Sequence, residues 1–271
     1  MEIQGKCAVI TGAASGIGRA TCEALVRAQI RAIAAVDRSG SVQEMAGRAN
    51  AEAGREVIVP FVGDVTSDAF RQSVFREMKT RGTPISICVP AAGITRDRLA
   101  VKLNKETGAA DTYPRKDLED VLSINLMAPI LWSIDTVASV AEDRARRNLA
   151  RWNPNEDITG CIVFIGSVSS AGNKGQISYA AAKAGLEGAQ ATLAKEAIFY
   201  GVRCNIIHPG YTDTPMVRAM GDQLIEEYIL PLTQLRRLLH PDEIADAIVF
   251  MMRNSAVSGS LWVDAGWHPA A

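Results

Sequence analysis

Short apolar runs recur along the chain, and most are followed by a stretch in which apolar residues return every third or fourth position. The runs Cys7-Ala8-Val9-Ile10, Ala32-Ile33-Ala34-Ala35-Val36, 57–61, 85–89, Cys161-Ile162-Val163-Phe164-Ile165, 202–207 and 260–263 read as strands, several of them of the type buried on both faces. Between them, 19–28, 42–54, a segment through Phe70, Val74, Phe75 and Met78, 118–143 and 178–200 read as helices with a buried face. From Pro215 to Leu239 the pattern predicts a helix apolar at Met216, Met220, Leu224, Tyr228 and Leu232, and Pro241-Asp242-Glu243 opens another. Strands alternating with helices predict an α/β fold: a single Rossmann-type domain over 1–271, with a doubly wound parallel sheet of about seven strands in the order 3-2-1-4-5-6-7.

Composition narrows the partners. The chain has 271 residues, 48% of them hydrophobic, enough to bury a large core. Lys+Arg 29 against Asp+Glu 30 leaves a net charge of -1, so no overall basic field points to nucleic acid or a membrane surface. Cys7, Cys22, Cys88, Cys161 and Cys204 are widely spaced, with no zinc-type spacing and no CxxC, and read as small buried hydrophobes in a reducing compartment; no metal is expected. The N-terminus lacks a charged region followed by an apolar stretch, and no apolar run approaches the ~20 residues of a membrane span, so a soluble, cytoplasmic protein is expected.

The candidate chemistry lies at the strand ends. The first run enters Thr11-Gly12-Ala13-Ala14-Ser15-Gly16-Ile17-Gly18 and then a helix. In a strand–turn–helix unit, Gly12 permits the tight turn, Gly16 lets the backbone approach a pyrophosphate, Gly18 allows close helix packing, and the helix N-terminus offers free N–H groups. Asp37 ends the second strand, about 20 residues past the turn, where a carboxylate can accept from ribose hydroxyls and repel a 2′-phosphate. NAD(H) is therefore favoured; NADP(H) remains open because Arg38 follows directly. Farther on, Tyr179 and Lys183 stand at i and i+4 of a helix, on one face. A phenol titrates near pH ~10, and a nearby ammonium would lower that value, making Tyr179 a usable general acid or base. Ser167 follows the fifth apolar run, where its hydroxyl could polarise a carbonyl, with Ser169 and Ser170 as rivals.

The glycine turn, Ser167, Tyr179-Ala180-Ala181-Ala182-Lys183 and Asn125 in Ser123-Ile124-Asn125-Leu126 together resemble the short-chain dehydrogenase/reductase family, over residues 6–266. Gly93-Ile94-Thr95-Arg96-Asp97 narrows the resemblance to the 3-oxoacyl-acyl-carrier-protein reductases. The resemblance implies hydride transfer between a nicotinamide and a ketone carbon. Tyr179 would supply the proton, Lys183 would lower the Tyr179 pKa and hold the nicotinamide ribose, Ser167 would position the carbonyl, and Asn125 would hold a water linking Lys183 to solvent. It also implies cofactor contacts from Ser15 and Ile17 beside the three glycines, from Asp64 and Val65 at the adenine, from Ala92 and Gly93, and from Pro209, Gly210, Thr212 and Thr214 at the carboxamide. His208 reads as structural. Pro90-Ala91 stands where relatives carry an asparagine pair, removing amide hydrogen bonds and one backbone donor.

Compared with the family, 102–116 and 146–159 look like insertions, the first a surface loop near the active-site rim. The segment 214–240 would be a substrate lid. The implied substrate is a small-molecule 3-oxoacyl thioester, carried on acyl-carrier protein or coenzyme A. Arg144, Arg146, Arg147 and Arg151, with Lys195, could bind that carrier or simply complement a helix dipole. A homotetramer is implied. The alternatives are an NAD-dependent dehydrogenase of a cyclic alcohol, sugar or steroid, and a dinucleotide-binding protein without turnover.

Overall fold

The computed structural model describes residues 1–82 and 84–267. Its centre is a parallel sheet of β1 (Cys7–Thr11), β2 (Ala32–Asp37), β3 (Ile58–Val62), β4 (Ile85–Pro90), β7 (Gly160–Ile165), β8 (Val202–Pro209) and β9 (Gly259–Val263). The order is β3-β2-β1-β4-β7-β8-β9, the predicted one once the separate hairpin β5 (Val101–Leu103) and β6 (Ala110–Thr112) is set aside. Successive strand residues feed opposite faces, as pleating requires. Ala8, Ile10, Ile33 and Ile87 pack under α1 (Gly16–Arg27), α2 (Ser41–Ala53) and α9 (Pro241–Arg253), whereas Val9, Ala34, Cys88 and Phe164 pack under α3 (Asp68–Thr80), α5 (Ala128–Arg146) and α6 (Ile177–Ala197). All five cysteines lie in these two cores, as read.

Strand order reverses between β1 and β4, the place where an open α/β sheet leaves a crevice at its carboxyl edge. Gly12 makes that crevice passable: at φ +66, a Cβ there would stand 2.8 Å from the Ala92 nitrogen.

One helix departs from expectation. α4 (Arg115–Leu122), a π-turn (Ser123–Met127) and α5 run as one rod of 32 residues containing an 18-residue window of mean hydropathy 1.5. The expectation that no apolar stretch approaches membrane length is corrected here; the rod lies on the sheet through residues such as Trp132 and Val140, fully buried, with 39% of the window buried in all. The first insertion is also not an irregular loop. Residues 101–112 form the exposed hairpin β5–β6, with Val101 and Leu103 on one face and Lys102 and Asp111 on the other.

The predicted helix of 215–239 is broken into α7 (Pro215–Arg218), α8 (Asp222–Leu224), a π-turn and a 3₁₀ turn (Leu230–Leu232). Gly221, at φ +91, separates the first two. The break also rotates the buried stripe: Ile225, Ile229 and Leu238 pack with Val217 and Met220, while Met216, Leu224, Tyr228 and Leu232 are exposed.

Candidate active site

Two connected cavities occupy the carboxyl edge. A cleft of about 660 Å³ runs from Asp37, Arg38, Asp64 and Val65 past the glycine turn to Tyr179, Lys183 and Thr214. A smaller cavity of about 130 Å³ shares Ile17, Tyr179, Thr214 and Met216 with it and adds Ser167, Pro209, Gly210 and Thr212. The long cleft suits a dinucleotide. Cβ atoms at Gly16 and Gly18 would stand 2.9 Å from the Thr214 methyl and 2.2 Å from the Gly12 carbonyl oxygen, so only glycine keeps this cradle open. Ser15 caps α1 without a side-chain hydrogen bond, leaving the first-turn N–H groups facing the cleft for an anion.

Asp37 holds its place by accepting from the backbone N–H groups of Ala14 (3.0 Å) and Ser39 (2.9 Å). Asp64, exposed, accepts from the Thr66 N–H and hydroxyl, which hold its carboxyl below the usual range. The missing asparagine pair is compensated locally. The Ala91 N–H donates to the Thr11 carbonyl (3.2 Å), and the Ala92 N–H donates to Thr11 Oγ1 (3.1 Å), so a buried threonine braces the two strand ends.

Tyr179 and Lys183 line the cleft from α6, as their spacing requires. The Lys183 ammonium stands 5.5 Å from the Tyr179 ring centre and donates to the Ile165 carbonyl at 2.7 Å. The expected depression of the tyrosine pKa is corrected. Burial dominates and pushes Tyr179 up to about 12, against a hydrogen bond with Ser167 that lowers it; Asp97 and Tyr211 add to the rise. Burial likewise pulls Lys183 down to about 8. A protonated phenol at neutral pH is a proton donor, the form a ketone reduction needs.

Ser167 is buried, and its Oγ accepts from the Ser169 N–H at 3.0 Å. The rivals are engaged elsewhere: Ser169 donates to Gln176 Oε1 (2.9 Å) and Ser170 to the Ser167 carbonyl (2.8 Å). His208 is buried at the end of β8, stacked on Trp262 at 4.3 Å, and burial lowers its pKa, consistent with a structural part.

Asn125 lines neither cavity. It is fully buried, accepting from the Ile94 N–H (2.9 Å) and donating to the Ile94 carbonyl (2.8 Å), so its amide holds the 93–94 turn rather than a water. The nearby π-turn has a readable cause that sequence reasoning missed. Pro129 has no N–H, so the helix cannot give the Asn125 carbonyl its usual i+4 donor. Thr212 Oγ1 donates to the Gly210 carbonyl (3.0 Å), and Thr214 caps α7 through Val217. Gln176, three residues before Tyr179, and Asp97 also went unrecognised as members of the site, although both line the smaller cavity.

The basic cluster divides: Arg144 is buried, whereas Arg146 and Arg147 stay exposed. Arg144 is paired with Glu156 at 2.7 Å and the Ala150 carbonyl, while Arg146 and Arg147 pair with Asp143. Arg144 therefore fastens the second insertion, at the sheet edge opposite the cavities, and is not open to a carrier.

Comparison with known proteins agrees with this geometry. The family described as short chain dehydrogenase matches residues 6–224. The 3-oxoacyl-[acyl-carrier-protein] reductase FabG of Escherichia coli is 31% identical over 94% of this chain and 93% of its own. The (3R)-3-hydroxyacyl-CoA dehydrogenase of Mus musculus is 28% identical over 93% and 90%. Among solved structures, a chain provisionally assigned as an NAD(P)-dependent gluconate 5-dehydrogenase of Beutenbergia cavernae, with NADP bound at low occupancy, has a TM-score of 0.81, 27% identity and 98% coverage of both chains. With these likenesses spanning the sheet, the glycine turn and the Tyr179–Lys183 helix, the chain belongs to the short-chain dehydrogenase family and is an NAD(P)-dependent oxidoreductase.

Proposed function

We propose that the chain reduces the ketone of a 3-oxoacyl thioester, on acyl-carrier protein or coenzyme A, to the 3-hydroxyacyl form. The observation that carries this reading is the meeting of Ser167 and a protonated Tyr179 in a small cavity that opens on the dinucleotide-sized cleft. The names of the reductase and hydroxyacyl-CoA dehydrogenase relatives, which match nearly the whole chain, support the acyl substrate.

A bound reduced nicotinamide supplies the hydride. Ser167 orients the ketone oxygen by hydrogen bonding, Tyr179 donates the proton to that oxygen as charge develops on it, and the Lys183 ammonium stabilises the phenolate left behind. Pro129 removes the i+4 donor of the Asn125 carbonyl, which accepts instead from a water that returns the proton. The Asn125 amide keeps Ile94 and Gly93 against the cleft. Asp37 favours NADH, since a 2′-phosphate would approach a carboxylate already fixed by two N–H groups. The 214–240 segment acts as the lid through its Met216 and Val217 end, which lines the smaller cavity. The active unit is a cytoplasmic homotetramer.

The test is initial-rate reduction of acetoacetyl-coenzyme A with NADH and with NADPH, beside Tyr179→Phe. NADH-dependent turnover that falls on the order of a thousandfold in Tyr179→Phe, with NADH binding retained, is expected. Preference for NADPH would overturn the Asp37 argument, and turnover that survives the substitution would remove Tyr179 from the mechanism.

A further inference from the structure

The smaller cavity contains one group that the proposed reaction does not use. Of its described lining residues, Asp97 is the only one that is charged at neutral pH. Its carboxylate is not a stray surface group. Asp97 Oδ2 accepts from Gln176 Nε2 at 2.8 Å. The orientation of that amide is settled from the other side, because Gln176 Oε1 accepts from Ser169 Oγ (2.9 Å) and from Asn173 Nδ2 (3.1 Å). Only the NH₂ end of Gln176 is then left to face Asp97.

Nor is the charge cancelled by its neighbours. Arg96 lies 4.0 Å from Asp117 and donates to the Thr95 carbonyl, and Arg98 pairs with Asp111 at 2.6 Å. Both arginines are directed to carboxylates of the α4 helix and the hairpin. Tyr211, Met216, Val217 and Met220, which also line this cavity, offer no cation to a substrate anion, and the Lys183 ammonium lies in the adjoining cleft, bonded to the Ile165 carbonyl. The field of Asp97 reaches the reacting groups, since it helps raise the pKa of both Tyr179 and Tyr211.

We propose that Asp97, positioned by Gln176, is a specificity-determining residue that turns away substrates bearing a carboxylate next to the reacting ketone and admits those whose acyl end is uncharged. The inference rests on the reading of the site as a ketone reductase and narrows it: a 3-oxoacyl thioester or ester is accepted, whereas the free 3-oxo acid is rejected. Asp97 is exposed at the cavity mouth, so screening limits the effect. For two charges roughly 6 Å apart at an effective dielectric between about 20 and 80, discrimination on the order of tenfold is expected.

The experiment pairs ethyl acetoacetate with acetoacetate, which share the ketone and differ in the charge. For wild type, Asp97→Asn and Asp97→Glu, kcat/KM for both compounds is measured with NADH, and binding of both to the cofactor-loaded protein is measured by calorimetry. The ester-to-acid ratio should fall about tenfold in Asp97→Asn and stay near the wild-type value in Asp97→Glu. High salt should narrow the ratio for wild type and Asp97→Glu but not for Asp97→Asn. A ratio unchanged in Asp97→Asn, or one that falls equally in Asp97→Glu, would overturn the proposal, the latter by making shape rather than charge the cause. If wild type turns over neither compound yet the calorimetric ratio shifts as described, the selection by Asp97 stands and the reductase reading fails. Turnover without any shift has the opposite meaning.

Discussion

Lys183 is the residue on which pH should act within the working range. Burial pulls its ammonium down to about 8, so it is charged below that pH and neutral above it, whereas Tyr179, near 12, stays protonated throughout. If the charge on Lys183 supports proton donation, initial-rate kcat/KM for reduction is level near neutrality and falls as pH rises through about 8. Lys183→Arg should abolish that falling limb over the accessible range, because a guanidinium titrates above ~12. A limb that persists in this variant would belong to another group and would remove Lys183 from the scheme. The pairing of Tyr179 with Lys183 was legible because helical spacing is local. The sign of the tyrosine shift was not, because it depends on desolvation supplied by distant segments such as β7 and the 209–214 turn. The same limit hid Asp97 and Gln176, which are 79 positions apart and meet only in the folded chain.

At the scale of elements, the regular strands and helices were read within a few residues, whereas the two segments read as insertions were only given bounds. What the insertions become was not readable, because their stability comes from partners elsewhere. The first is tied down by the Tyr113 hydroxyl, which donates to the Arg96 carbonyl and shares a hydrogen bond with Ser178, both at 2.7 Å. The second is held by Trp152 against Gly201 and by Arg144, whose buried guanidinium reaches Glu156 and Ala150. Removing a buried, hydrogen-bonded charge uncovers its partners. Arg144→Ala should therefore lower the Tm on the order of 5–10 °C, checked by calorimetric melting, and exchange protection of amides in 150–160 should fall first. An unchanged Tm would show that the insertion is held by Trp152 and its backbone bonds alone. The lid was misread for a related reason: periodicity was carried across Gly221, and a break in a helix resets the phase of its buried face.

On the scale of the whole molecule, the sheet closes its two cores but leaves apolar surface outside them. Met127 and Ile134 on the long helix rod are 55% and 46% exposed, with Ile177 at the start of α6 at 51%. A second area lies on the other face of the sheet, where Phe250 of α9 is 48% exposed, and β9 is an edge strand. Scattered exposed apolar side chains are ordinary, but a sheet edge and long helix faces carrying several are costly in water and are covered in stable assemblies. Two self-complementary faces generate a tetramer with dihedral symmetry, and each face then pairs with its own copy. Light scattering behind size exclusion should give about 116 kDa, four times the 29.0 kDa chain. Ile134→Asp should break one face and Phe250→Asp the other, each leaving a dimer of about 58 kDa, and the double variant should run as the 29.0 kDa monomer. A wild-type mass of 29.0 kDa would overturn the tetramer. A tetramer that persists in both single variants would show that its contacts lie on other surfaces, the exposed hairpin of Val101 and Leu103 being the next to substitute.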